Sequence, residues 1–243
     1  MAKDKIILAL DVDSETKAVG LVRSLKDEVG AFKVGLELFN STGPDIFGRL
    51  RQAGAERVFY DCKFHDIPNT VAGASRAAAR MGIWMFNVHT SGGSDMMKAA
   101  AEAARQTATQ LGVRPPLVIG VTVLTSIDET ILREELVVCS DVRSQVAHLA
   151  LLAKNSSLDG VVASPHEIGA IRDACGSGFL IVTPGVRPAG AAIGDQKRVM
   201  TPGEAIRHGA DYIVVGRAIT ASDDPVAAAR AIGEEIETVS GEQ

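Results

Sequence analysis

Phe59-Tyr60-Asp61-Cys62-Lys63-Phe64-His65-Asp66-Ile67-Pro68-Asn69-Thr70 opens as an apolar, aromatic strand, yet it carries charges where a buried strand should carry none. Side chains alternate faces along an extended chain, so Asp61 and Lys63 point one way, and Cys62 and Phe64 point towards whatever covers the sheet. Asp66 falls just past the strand end, where Pro68 stops the extended run and suits the first turn of a helix. Two carboxylates thus bracket one ammonium at the C-terminal end of a strand. Burying such charges is costly unless they satisfy one another. The plain alternative to a chemical role is an interior ion-pair network that braces the fold.

Reading outward, the same rhythm recurs on both sides. Lys5 to Val12 is an apolar run ending in an acid, and Ser14 is placed to cap a helix reaching about Val29. Ala31 to Leu36 is a second strand with one internal charge, Lys33. A helix from about Pro44 to Gln52 follows it and ends at Gly54. The Asp61/Lys63 strand is third, with its helix from Asn69 to Gly82. Met85 to His89 is the fourth strand, followed by an Ala-rich helix from Asp95 to Leu111. Leu117 to Leu124 is the fifth; a short helix over Asp128 to Leu136 and a main helix over Val142 to Lys154 come after it. Gly160 to Ser164 is the sixth strand, with its helix from His166 to Ala174. Leu180 to Thr183 is the seventh, with a short helix from Pro202 to His208. Tyr212 to Gly216 is the eighth, and Pro225 to Val239 closes the chain as a helix.

Alternating strand and helix patterns imply a parallel sheet with right-handed crossovers. Eight such units without a linker predict one (β/α)8 TIM barrel domain over residues 1–243, an α/β fold with its active site at the C-terminal strand ends. A doubly wound open sheet is the alternative; the first strand is not followed by the glycine fingerprint that would favour it.

Composition narrows the partners. The chain has 243 residues, 46% of them hydrophobic and only 4% aromatic, the palette of small side chains packed on a parallel sheet. A net charge of -5 argues against a general nucleic-acid surface. No apolar run is long enough to span a membrane, and the N-terminus runs into a strand without a signal-peptide core. Cys62, Cys139 and Cys175 have no metal-type spacing and read as free thiols of a cytoplasmic protein.

The unusual residues collect where the barrel mouth should be: Asp11, Lys33, Asp61 with Lys63, Asn87 with His89, then Thr125 and Ser126. Singly they have dull explanations: Asp11 as a helix cap, His89 as a core histidine, the hydroxyls as a loop start. Together, Lys33, Asp61, Lys63 and Asp66 set alternating charges around one mouth. A second feature lies in the last quarter. Thr183-Pro184-Gly185-Val186-Arg187-Pro188 leaves strand seven into a loop containing Gln196, and strand eight ends Val215-Gly216-Arg217. Loops after strands seven and eight of such barrels often bind phosphate, and Arg217 can grip two of its oxygens. A tight turn at Gly216 with Arg217 paired to a surface acid is the alternative.

These motifs resemble the orotidine 5′-monophosphate decarboxylase family. The likeness is densest at Asp61–Thr70 and runs the full chain, through Leu8–Asp11, Phe32–Gly35, Asn87–His89, Val121–Ser126, Ser164–Glu167, Thr183–Pro188 and Gly209–Arg217. The resemblance implies a cofactor-independent homodimer that converts orotidine 5′-monophosphate to uridine 5′-monophosphate in pyrimidine biosynthesis. It implies Lys63 as general acid at the pyrimidine C6, Asp61 against the departing carboxylate and Lys33 holding Asp61 and touching the ribose. Asp66 and Thr70 would reach into the partner's site, and Asp11 would bind a ribose hydroxyl. Thr125 and Ser126 would lie by the pyrimidine and Arg187 would border the substrate. Gln196, Gly216 and Arg217 would take the phosphate. Two rivals remain: a sister barrel using Mg2+ on a sugar phosphate, which shares the Asp-x-Lys pair but has an acid where Lys33 stands, and a barrel that binds a phosphorylated ligand without chemistry.

Overall fold

The eight apolar runs pair in chain order as parallel strands: β1 (Ile6–Ala9), β2 (Ala31–Val34), β3 (Val58–Phe64), β4 (Met85–His89), β5 (Leu117–Val121), β6 (Gly160–Val162), β7 (Leu180–Pro184) and β8 (Tyr212–Val215). β8 returns to pair with β1, so the sheet is a closed barrel without a free edge. The computed structural model describes residues 1–188 and 200–240 of the chain.

Strand alternation sorts the side chains into two apolar groups. Ile7, Ala31, Phe59, Met85, Ile119, Val182 and Val214 fill the barrel interior. Their neighbours, among them Leu8, Phe32, Tyr60, Phe86, Val161 and Ile213, face the helices. Val/Ile-rich strands buried on both faces are what a helix-covered parallel sheet requires. The helices supply small residues for close approach. In α5 (Ser94–Leu111), Ala100, Ala101, Ala104 and Ala108 are all buried.

Behind the third strand lies an aromatic layer. Tyr60 stacks with Phe39 (centroids 4.7 Å apart) and edge-on with Phe47 (5.2 Å), and Phe64 bridges Tyr60 and Phe86 at 5.9 Å each. Such pairs add to area burial and hold one face of β3 fixed. The other face carries Phe59 low in the barrel and then the charges Asp61 and Lys63.

Several elements differ from the sequence expectation. β1 ends at Ala9 and β5 at Val121, shorter than the apolar runs suggest; Leu10 still donates to the Lys33 carbonyl (2.9 Å) before the chain leaves the ladder. The first helix, α1 (Glu15–Leu25), starts after Ser14 as expected but stops short of Val29, and the Ser14 hydroxyl does not cap it. A helix that periodicity missed, α2 (Leu36–Thr42), precedes α3 (Asp45–Ala53). Only Leu38 of α2 is buried, so it leaves no apolar stripe to read. Gly43 (φ 74°) ends α2 in a conformation that glycine takes readily. The Asp128–Leu136 segment holds one π-helical turn, Ile131–Glu135, in place of a regular helix. The helices α4 (Pro68–Arg80), α6 (Val142–Asn155), α7 (Ile168–Cys175), α8 (Pro202–Arg207) and α10 (Pro225–Ser240) lie close to their expected bounds. A four-residue α9 (Arg217–Thr220) directly follows β8.

Candidate active site

The uppermost inward positions of β1, β2 and β3 and the turn after β8 carry Ala9, Lys33, Asp61 and Gly216, and above them opens a cavity of about 330 Å³. Asp11, Lys33, Asp61, Lys63, Thr125, Arg187, Gly216 and Arg217 all line it, over a floor that includes Phe59, Val121, Val162 and Val214. Four basic and two acidic side chains face this space, although the whole chain is net negative. The cavity therefore favours a ligand with more than one negative charge, held over an apolar floor.

At its centre the charges alternate. Lys33 Nζ lies 3.0 Å from Asp11 Oδ1 and 3.4 Å from Asp61 Oδ2. Asp61 Oδ1 accepts from Lys63 Nζ at 2.6 Å and from Asn87 Nδ2 at 2.7 Å. The Lys33 and Asp61 side chains are 11% and 15% exposed, so this pair is little screened; the Asp11 side chain is 60% exposed, and its ion pair is worth correspondingly little. Burial pushes the Asp61 carboxyl up, but the Lys33 and Lys63 ammoniums and the hydrogen bonds from Lys63 and Asn87 outweigh it. They hold Asp61 below the usual carboxylate range. Gly35 gives Lys33 room, since a Cβ there would sit 3.1 Å from Nζ.

The strand bearing Asp61 and Lys63 is not regular. From Tyr60 to Phe64, β3 advances four residues while the paired β4 advances two, from Phe86 to Val88. This bulge keeps the expected parity, so Asp61 and Lys63 both face inward and Cys62 outward. Its cost appears at Lys63, whose φ of 50° lies in the left-handed region that a residue with a Cβ rarely adopts. Such a conformation costs on the order of 1–3 kcal/mol and persists where its surroundings enforce it. Cys62, buried against the helices, donates to the Asn87 carbonyl at 3.2 Å; burial pushes its thiol up to about 12, so it stays protonated. His89, at the end of β4, lies 5.4 Å from the His65 ring. Burial, then the nearby His65 and Lys63, push the His89 imidazole down against the pull of Asp61. It is neutral at pH 7 and lies outside the cavity lining, nearer the core histidine than the catalyst.

The remaining sequence candidates fall in three places. Ser126 lines an adjoining cavity of about 430 Å³ that shares Thr125 with the first. Asp66 and Thr70 are exposed at the β3–α4 junction, outside both cavities of their own chain, and Asp66 Oδ1 accepts from the Ile67 N–H at 2.6 Å. Gln196 lies outside the described residues. Asp11 faces Lys33, and the cap position of α1 belongs to Ser14. Sequence reasoning noted Asn87 as odd but gave it no task; its signal was an amide at an inward position of a buried strand.

The fold and site define a (β/α)8 barrel whose mouth sets lysines and aspartates in alternation around a cavity with an excess of cations. The chain belongs to the orotidine 5′-phosphate decarboxylase / HUMPS family, whose model matches residues 4–232. An orotidine 5′-phosphate decarboxylase of Moorella thermoacetica is 58% identical over 98% of this chain and 94% of the relative. One of Syntrophotalea carbinolica is 55% identical over 97% of this chain and 96% of the relative. The crystal structure of the Lactobacillus acidophilus orotidine 5′-phosphate decarboxylase superposes with a TM-score of 0.84 at 40% identity, covering 95% of this chain and 98% of that one.

Proposed function

We propose that the chain decarboxylates orotidine 5′-monophosphate to uridine 5′-monophosphate in pyrimidine biosynthesis, without a cofactor. The observation that carries this reading is the Lys33–Asp61–Lys63 array over an apolar floor in a cavity with an excess of cations. The substrate bears a carboxylate and a phosphate, which matches that excess. Breaking the C6–carboxylate bond releases carbon dioxide and leaves an electron pair on a ring carbon with poor resonance relief. An ammonium fixed beside that carbon stabilises the pair as it forms, because its orientation is set before the reaction starts. Lys63 supplies this ammonium. A proton passes from its Nζ to C6, the new C–H bond completes the product, and water reprotonates the amine.

Asp61 orients Lys63 and lies against the departing carboxylate; Lys33 balances Asp61 and reaches the ribose, with Asp11 on a ribose hydroxyl. Thr125 and Ser126 border the pyrimidine. Arg187 borders the substrate, and Gln196, Gly216 and Arg217 hold the phosphate, whose binding energy, remote from the reacting carbon, is available to position the ring. The Mg2+-dependent rival needs a metal-binding acid where Lys33 stands, and a cation already lies between the two carboxylates there.

The assembly proposed is a homodimer with Asp66 and Thr70 of each chain entering the partner's site. Supporting it, the segment His65 to Thr70 is exposed throughout, Ile67 is 67% exposed, and Leu36 after the adjacent strand is 51% exposed. Three free cysteines fit the reducing cytoplasm. No helix among the described residues is long and apolar enough to cross a membrane.

The test is the ultraviolet absorbance of orotidylate on adding purified protein in EDTA. Loss of the substrate band with appearance of uridylate is expected. No turnover in chelator, with Mg2+ restoring activity on a sugar phosphate, would select the rival.

A further inference from the structure

We propose that Asn87 is a positioning residue for this reaction: its one amide holds the Lys63 backbone in its left-handed conformation and fixes the Asp61 carboxylate against the Lys63 ammonium. The proposal rests on the reading that Lys63 and Asp61 carry the chemistry. Asn87 is fully buried. Its Oδ1 accepts from the Lys63 N–H at 2.7 Å, its Nδ2 donates to Asp61 Oδ1 at 2.7 Å, and its carbonyl accepts from Cys62 Sγ at 3.2 Å. Three successive residues of β3 are thus tied to one residue of β4, at the place where β3 fits its extra residues between Tyr60 and Phe64. A regular ladder would pair these strands through backbone alone. The bulge frees the Lys63 N–H, and a buried free N–H needs an acceptor.

An amide answers both demands together. Nδ2 only donates and Oδ1 only accepts, so a carboxylate on one side and an N–H on the other leave one orientation. The same Asp61 oxygen takes the Lys63 ammonium at 2.6 Å. Asn87 therefore sets where that oxygen stands, and through the backbone bond it sets where the lysine stem begins. The hydrogen bond from Asn87 is also among the influences that keep Asp61 ionised.

Two variants test this. Asn87→Leu is close in volume and abolishes both bonds. With the lysine and the carboxylate free to shift, kcat on orotidylate should fall about 10²-fold, the usual cost of a 1 Å misplacement. KM and product inhibition by uridylate should stay near wild type, because the phosphate contacts lie elsewhere. Asn87→Asp keeps an acceptor for the Lys63 N–H but sets a second carboxylate against Asp61. Two carboxylates so close hold a shared proton tightly, and the protonated form can donate as the amide did. Its kcat should be low at pH 8 and rise as pH falls, where the wild type shows no such rise. Lys33 from β2 and Lys63 of β3 contact Asp61, Asp11 after β1 contacts Lys33, and His89 of β4, with His65 beside it, lies near enough to feel Asp61. They are common to both enzymes, so the readout is the difference between the two profiles. If Asn87→Leu fails to fold, Asn87→Asp decides, and no rise on its acid side overturns the proposal. Wild-type kcat in Asn87→Leu beside an inactive Lys63→Ala overturns this proposal alone. An active Lys63→Ala overturns the reading of the reaction, and this proposal with it.

Discussion

Replacing Lys33 by Met removes an ammonium and keeps the buried aliphatic stem. Lys33 Nζ lies 3.4 Å from Asp61 Oδ2, with both side chains less than a fifth exposed. At an effective dielectric near 20, unit charges at that separation attract by roughly 5 kcal/mol. Lys63 and Asn87 still hold Asp61 Oδ1 in the variant, and water can enter the vacated end. The expected net loss is therefore about 1.5–3 kcal/mol, or roughly one to two pH units in the titration of Asp61. The direction follows from linkage. Folded Asp61 titrates below its ordinary value of 3.8, so its ionised form stabilises the native state above that pH, and this contribution disappears as pH falls through the folded value. Without Lys33 the folded value moves up, the gap narrows, and stability at neutral pH drops. Thermal melts from pH 7 to pH 3 should show the wild type ahead at pH 7, with the two enzymes converging in acid. The acid limb of kcat/KM should move up by about one to two units. An unmoved limb, or a Tm difference independent of pH, would refute the claim that Lys33 acts through Asp61.

Arg217→Ala should weaken orotidylate by about 2–5 kcal/mol, as for a desolvated charge pair, and hardly alter the dephosphorylated nucleoside; equal losses on both would place Arg217 away from the phosphate. In the proposed dimer, mixing inactive Lys63→Ala with inactive Asp66→Asn and allowing exchange puts both lesions in one site of each mixed dimer and none in the other. Roughly a quarter of wild-type activity should return; no recovery with mixed dimers present would return Asp66 to its own subunit's site.

How much of this could be read from residues alone differs along the chain. The barrel was legible because each strand is a largely buried, mostly apolar run set off by a helical segment, and such runs keep their meaning whatever packs around them. The pairing of Asp61 with Lys63 on one face was legible too, since a bulge that adds an even number of residues preserves alternation. The bulge itself was hidden for the same reason. The left-handed backbone at Lys63 left no sign, because the position carries no glycine to mark it. Asn87 stood out as a polar residue in a buried strand, but its partners lie 24 and 26 positions away, beyond any local pattern. Asp66 reads as a member of the charged mouth, and Thr70 enters only through the family resemblance; within one chain both are exposed and outside the cavity lining. Short α2 has a single buried residue, too few for periodicity to register.

The central claim is that the Lys63 ammonium delivers the proton and stabilises the carbanion. Its most direct test is turnover of orotidylate by Lys63→Ala in EDTA, with folding checked by circular dichroism. Lys63 lines an open cavity and its side chain is 30% exposed, so its loss leaves no core void and the fold should survive. The account predicts a loss of many powers of ten, because the proton source and the stabilising charge leave together. A folded Lys63→Ala protein that kept even a few per cent of wild-type turnover would contradict it.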